Sequence, residues 1–243
     1  MRFLFGELLE FLLPSACAAC GKGIAPEKAL CPRCDAALPR IPRHFCVRCQ
    51  ERPASEEKPL CLACSLKPSP LAACVAAAPF AGEVERWIHR FKYPPPGLRG
   101  LDPAPLAVVS QLICEAAERV PGPPPELLVP IPLHKNRLRA RGFNPAERLA
   151  RALSKKLGVP CDPNLLERVR DTPSQTGFDR RARLKNVKGA FRIRRGRALP
   201  GSLWLVDDVV TTGSTLKAAA KELRKETVQT ICAVCSIKSL ISN

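Results

Sequence analysis

The sequence predicts an α/β fold with a small cysteine-rich module ahead of it. Three observations predict this. Eight of the thirteen cysteines form four Cys-x-x-Cys pairs within the first 64 residues. Apolar segments of strand length recur downstream, and the clearest of them runs through a glycine turn into a helical pattern. The composition is 46% hydrophobic and 25% charged over 243 residues. That balance excludes wholesale disorder and a polytopic membrane protein, and the length suffices for one ordinary domain with an appendage.

The chain opens on Phe3-Leu-Phe-Gly-Glu-Leu-Leu-Glu-Phe-Leu-Leu13, which imitates a secretory h-region. Glu7 and Glu10 argue against that: at helical spacing they share one face, while Leu4, Leu8, Phe11 and Leu12 fall near another. A short amphipathic helix is the better reading. No other uninterrupted apolar run approaches ~20 residues, so no membrane insertion is expected and the protein is expected in the cytoplasm with reduced thiols.

The four pairs are Cys17/Cys20, Cys31/Cys34, Cys46/Cys49 and Cys61/Cys64. A Cys-x-x-Cys turn lets two thiolates reach one ion, and two such turns complete the tetrahedral sulfur site that structural zinc prefers. Iron–sulfur ligation ranks second and disulfides third. Four pairs imply two structural zinc ions. Sequential closure, with Cys17, Cys20, Cys31 and Cys34 on one ion and Cys46, Cys49, Cys61 and Cys64 on the other, needs shorter loops than an interleaved cross-brace and is preferred. Residues 50–73 are rich in Pro, Glu, Ser and Ala, which places a linker or domain edge there. The expected division is a double four-cysteine zinc module over 1–73 and an α/β domain over 74–243.

The remaining cysteines lie in apolar surroundings and read as buried small hydrophobes. Cys232 and Cys235 repeat the Cys-x-x-Cys spacing, but Ile231-Cys-Ala-Val-Cys-Ser-Ile237 is a strand pattern. Strand side chains three apart face opposite sides of a sheet, so these two do not share a metal.

The segment with most chemical content is Leu203-Trp-Leu-Val-Asp-Asp-Val-Val-Thr-Thr-Gly-Ser-Thr-Leu216. An apolar strand, a glycine turn and a helix start present backbone N–H groups to an anion, a general recipe for holding phosphate. It is not the Walker pattern, which needs Gly-x-x-x-x-Gly-Lys-Ser/Thr. Asp207 and Asp208 end the strand, where carboxylates can accept hydrogen bonds from vicinal sugar hydroxyls. Helix capping accounts for each residue singly but not for the set. The set resembles the fingerprint of type I phosphoribosyltransferases, which bind phosphoribosyl pyrophosphate (PRPP).

Charge is concentrated too. The chain carries 39 Lys and Arg against 22 Asp and Glu, a net of +17. Residues 134–197 hold 19 of the basic side chains against 5 acidic ones, so +14 of that charge lies in 64 residues, while residues 1–70 hold 10 against 7. A local field of this size favours phosphate-bearing partners. Single-stranded DNA is one such partner, with Phe143, Phe178 or Phe191 available for stacking, although 5% aromatic content limits any large stacking platform.

Within this region Leu127-Leu-Val-Pro-Ile-Pro-Leu133 is an apolar strand leading to His134-Lys-Asn-Arg-Leu-Arg-Ala-Arg-Gly-Phe-Asn144. The junction resembles a pyrophosphate loop of the transferases. The cationic stretch at 175–191 resembles their mobile active-site loop, and Trp87-Ile-His-Arg-Phe-Lys-Tyr93 resembles a hood helix, with His89 read as a surface or packing residue. With the cysteine module, Arg141-Gly-Phe-Asn144 and Val206-Asp-Asp-Val-Val-Thr-Thr-Gly-Ser-Thr215 in this order, the chain resembles the competence protein F (ComF) family nearly end to end.

The resemblance implies a type I phosphoribosyltransferase fold, a central mainly parallel sheet flanked by helices, and binding of PRPP with Mg²⁺. Asp207 and Asp208 would hold the ribose hydroxyls and serve as the catalytic pair. Thr211, Thr212, Gly213, Ser214 and Thr215 would hold the 5-phosphate. His134, Lys135 and Arg137, with Arg181, Arg183 and Lys185, would neutralise the leaving pyrophosphate. It leaves two functions open: transfer of phosphoribosyl to an acceptor, or a non-catalytic, PRPP-sensing or single-stranded-DNA-binding role in DNA uptake and natural transformation beside competence-machinery proteins.

Overall fold

A computed structural model describes residues 16–26, 28–55, 57–94, 103–171, 187, 189–194 and 199–239. The amphipathic stretch at 1–13, Phe178, and Arg181, Arg183 and Lys185 lie outside the described residues.

Two one-turn helices, α1 (Pro32–Ala36) and α2 (Leu62–Ser65), belong to the cysteine module. The rest alternates: β1 (Ala73–Pro79), α3 (Glu83–Lys92), α4 (Ala104–Ala117), β2 (Leu127–Pro130), α5 (Lys135–Arg141), α6 (Pro145–Leu157), the short β3 (Leu166–Arg168) and β4 (Phe191–Ile193), then β5 (Ser202–Val210), α7 (Ser214–Leu223) and β6 (Thr230–Lys238). β1, β6, β5 and β2 lie side by side in that order, all parallel, while β3 and β4 form a separate antiparallel pair.

A parallel sheet must be covered on both faces, and its strands accordingly read as apolar runs. One face carries Val75, Leu128, Trp204, Cys232 and Val234 under α3, α4 and α6. The other carries Val129, Leu203, Leu205, Ile231, Ala233 and Cys235 under α7 and the β3–β4 pair. Cys232 and Cys235 thus sit on opposite faces, as strand alternation requires. The helices bury stripes at helical spacing: Val84, Trp87, Ile88 and Phe91 on α3, and Leu149, Ala150 and Leu153 on α6. Asn144 caps α6, its side chain accepting from the Ala146 N–H at 3.2 Å, and Gly158 ends it in the left-handed conformation.

The cysteine module does not end in a free linker. Within it, Arg40 binds Glu115 of α4 through Nε at 2.6 Å and Nη2 at 3.0 Å, and also reaches Asp35 at 2.7 Å. Arg119 donates to the Ile41 carbonyl at 2.6 Å. The module also lies along the open side of β1: Ile41 N–H donates to Ala77 O at 2.8 Å, and Cys74 N–H donates to Val47 O at 2.8 Å. Covering an edge strand in this way removes a template for pairing with other chains.

Candidate functional site

The cysteines gather sequentially. Cys17, Cys20, Cys31 and Cys34 bring their sulfurs within 4.8 Å of one another, and Cys46, Cys49, Cys61 and Cys64 do the same. Four thiolates about 2.3 Å from one zinc ion stand about 3.8 Å apart along the tetrahedron edges. Cys20 Sγ lies 3.8 Å from Cys31 Sγ, and Cys49 Sγ lies 3.9 Å from Cys61 Sγ. Backbone N–H groups orient the sulfurs, with Cys31 donating to Cys17 Sγ at 3.3 Å and Arg48 to Cys46 Sγ at 3.4 Å. Without a cation the thiols cannot all ionise: hydrogen bonding to Cys20 and Cys31 pushes Cys34 up to about 12, and burial with the charge of Cys49 pushes Cys64 up. Both quartets therefore fit zinc.

The first knuckles of the two ribbons share one backbone shape but are closed by different residues. Gly21 closes the first at φ +73°, its N–H on Cys17 O; Gln50 closes the second at φ +53°, its N–H on Cys46 O. A non-glycine residue there is strained, and its side chain shows what offsets the strain. Gln50 is buried, its Nε2 donating to Ala76 O at 2.9 Å and its Oε1 accepting from Ala76 N–H at 2.8 Å. The amide thereby pairs with β1 as a neighbouring strand would.

β5 delivers Asp207 and Asp208 to the carboxyl edge of the sheet, where ligands of open α/β sheets bind. Alternation sends them to opposite faces. Asp208 pairs with Lys92 at the end of α3, Nζ to Oδ1 3.0 Å. Asp207 accepts from the Asp208 N–H at 2.9 Å, and the charges of Lys92 and, less strongly, of Arg168 on β3 act on its carboxyl. Burial, reinforced by the charge of Asp208, pushes the Asp207 carboxyl up to about 7. Arg168 is itself buried, its guanidinium over the Phe191 ring.

The turn that follows is Thr211, Thr212 and Gly213, the last in the left-handed conformation at φ +71°, and α7 starts at Ser214. Thr212 Oγ1 and Ser214 Oγ lie 2.7 Å apart, tying the turn to the first helical residue. Thr215 follows in the first turn of α7. After β2, His134 caps α5, its Nδ1 accepting from the Asn136 N–H at 3.4 Å. Asp171 sits 3.3 Å from the same nitrogen, held by Asn136 Nδ2 at 2.7 Å. His134 is buried, so its ring positions α5, whereas Lys135 is exposed and Arg137 half-buried at the start of that helix.

Asp207, Asp208 and the 211–215 turn thus share one sheet edge, and His134–Arg137 follow the adjacent parallel strand. Sequence reasoning missed Lys92, Arg168 and Gln50. Strand alternation carried a signal for the first two, because neighbouring aspartates on a strand need separate partners.

Comparison with known proteins agrees with both halves of the chain. A family model described as a double zinc ribbon domain matches residues 8–65. DNA utilization protein YhgH of Escherichia coli O157:H7 is 30% identical over 229 residues, covering 92% of this chain and 90% of its own. The protein of the same name from Salmonella typhi is 30% identical over 230 residues, with the same coverage. Competence protein F of Haemophilus influenzae is 39% identical over 109 residues, 44% of this chain and 48% of its own. A double zinc ribbon, a parallel sheet and end-to-end similarity lead to one conclusion: the chain belongs to the family of DNA utilization protein YhgH and competence protein F.

Proposed function

We propose that this protein binds PRPP with Mg²⁺ at the β5–α7 turn, as a phosphoribosyltransferase-type protein that serves the handling of DNA. The observation that carries the reading is one edge of the parallel sheet, where two carboxylates, a glycine turn and a helix N-terminus stand in succession beside the basic segment that follows β2. Backbone amides and hydroxyls of Thr211, Thr212, Gly213, Ser214 and Thr215 suit a 5-phosphate. Asp207 and Asp208 suit the ribose hydroxyls, and both favour positive charge developing at C1. Lys135 and Arg137, joined by Arg181, Arg183 and Lys185, suit a departing pyrophosphate, and His134 holds the first turn of α5 in place. When bound, Mg²⁺ would supply neutralisation of the ligand's negative charge. No covalent nucleophile is required, so transfer to an acceptor rests on positioning and electrostatics.

The names of the relatives, DNA utilization and competence, support a role with DNA for this chain as well. A second observation favours direct contact with single strands. Arg141 lies over the Tyr93 ring at 4.9 Å, Arg148 over Phe143 at 4.0 Å, and Tyr93 is exposed. Such arginine–aromatic pairs offer stacking and phosphate neutralisation together.

Calorimetric titration of the zinc-loaded protein with PRPP and Mg²⁺ tests the main reading. Saturable binding lost in the Asp207→Asn, Asp208→Asn double variant is expected, with DNA affinity little changed. A folded wild-type protein that binds no PRPP overturns it and leaves strand binding as the function.

A further inference from the structure

The second ribbon and the β5–α7 turn, about 150 residues apart in the chain, meet across a cavity of about 310 Å³. Arg52 and Lys67 line it from the ribbon, Thr211, Thr212, Gly213 and Lys217 line it from the turn and α7, and Lys238 of β6 lines it as well. We infer that this cavity is a phosphate-monoester pocket in which Arg52 and Lys67 of the zinc ribbon complete the phosphate grip of the turn. The inference deepens the proposed site and rests on the turn being a phosphate holder.

Charge and partnering support it. Arg52, Lys67 and Lys217 have no ion-pair partner among the described residues. Lys238 is over nine-tenths buried, and its Nζ lies 3.1 Å from Oε1 of Glu51, a largely exposed residue. Arg48 also lines the cavity and anchors the ribbon wall, donating to Cys64 O at 2.6 Å and Lys67 O at 3.3 Å. Five cationic side chains therefore face one carboxylate and the formal −2 of a zinc–tetrathiolate set, leaving an excess of positive charge. Unpaired cations beside a helix N-terminus are matched by a dianionic phosphate.

The size of the cavity narrows the ligand. At about 310 Å³ it stands at the small end of ligand pockets, which span roughly 300–1,000 Å³. It suits one terminal phosphate on a small body and not a strand running through. Two sources supply that chemistry, a free sugar phosphate or the 5′-phosphate end of a DNA strand.

The test uses the full-length, zinc-loaded protein titrated with inorganic phosphate and with ribose 5-phosphate. Arg52→Glu with Lys67→Glu, both exposed positions, should weaken both ligands by about tenfold or more, because two charge-assisted contacts become repulsive. Zinc content and unfolding midpoint should not change; should the reversal cost zinc, Arg52→Gln with Lys67→Gln asks the same question without it. Unchanged phosphate affinity in these variants overturns the inference, even if PRPP binds and depends on Asp207 and Asp208. Ribbon-dependent phosphate binding without any PRPP binding upholds it and removes the PRPP reading instead. Oligonucleotides with 5′-phosphate and 5′-hydroxyl ends then identify the source: a preference for the phosphorylated end that vanishes in the ribbon variant assigns the pocket to strand ends, and equal binding beside tight ribose 5-phosphate assigns it to a free sugar phosphate.

Discussion

Asp207 shows how one side chain links fold to chemistry. Its carboxyl rises to about 7 because burial and the neighbouring Asp208 both penalise the ionised form. A carboxyl unfolded near 3.9 and folded near 7 binds its proton more tightly in the native state. Its contribution to stability is therefore present below about pH 4 and is lost as pH rises through about 7. Asparagine has no such titration. Thermal unfolding of the wild type and of Asp207→Asn should diverge across this window, the wild type losing stability relative to the variant from about pH 4 to about pH 7 and levelling off above it. Parallel curves would show that Asp207 ionises freely in the fold. Binding that needs ionised Asp207 should likewise strengthen up to about pH 7 and then level off. The charge of Lys92, which lies 3.0 Å from Asp208, offsets part of the same penalty.

Among the elements, those with a strong local pattern could be read from sequence alone. Sequential Cys-x-x-Cys pairs, the apolar run of β5 and the glycine before α7 each carry their own signature, and all three occur where expected. What escaped depends on partners distant in the chain. Gln50 looks like an ordinary polar residue until Ala76 is known to lie opposite it, and Lys92 until α3 is known to end over Asp208. The alternation that separates Cys232 from Cys235 equally separates Asp207 from Asp208, a consequence hidden when the aspartates are read as a pair. The ribbon's position on β1 carries a prediction of its own. Small ribbons without metal lose their fold, because binding of the ion is the folding energy. Stripping zinc with a chelator should therefore uncover the open side of β1 and the buried Ala76 groups, and the protein should self-associate while its far-ultraviolet dichroism changes little. Light scattering with and without restored zinc measures this. A metal-free protein that stays monomeric would mean that the ribbon guards no edge.

On the scale of the whole molecule, the two proposed anion sites should respond differently to salt. The β5–α7 turn and its cavity hold charge partly out of solvent, where screening is weak, whereas Arg139 and Arg141 belong to a surface helix in the region that carries +14 of the net +17. A strand bound along that surface releases counterions in proportion to the phosphates neutralised, so its affinity must fall steeply with ionic strength. Each surface arginine removed should lower the slope of log affinity against log salt by roughly 0.7 for single strands. Arg139→Ala with Arg141→Ala should therefore flatten the slope for a single-stranded oligonucleotide by roughly 1.4, and Arg141→Ala also removes the contact over Tyr93. PRPP affinity in the same variant should keep its wild-type salt dependence. If the variant changes both slopes together, strand and sugar phosphate share one site that includes α5; if it changes neither, the α5 surface is only a solvated face. If only the oligonucleotide slope changes, the molecule carries a strand on its basic helices while the sheet edge holds a small phosphate ligand.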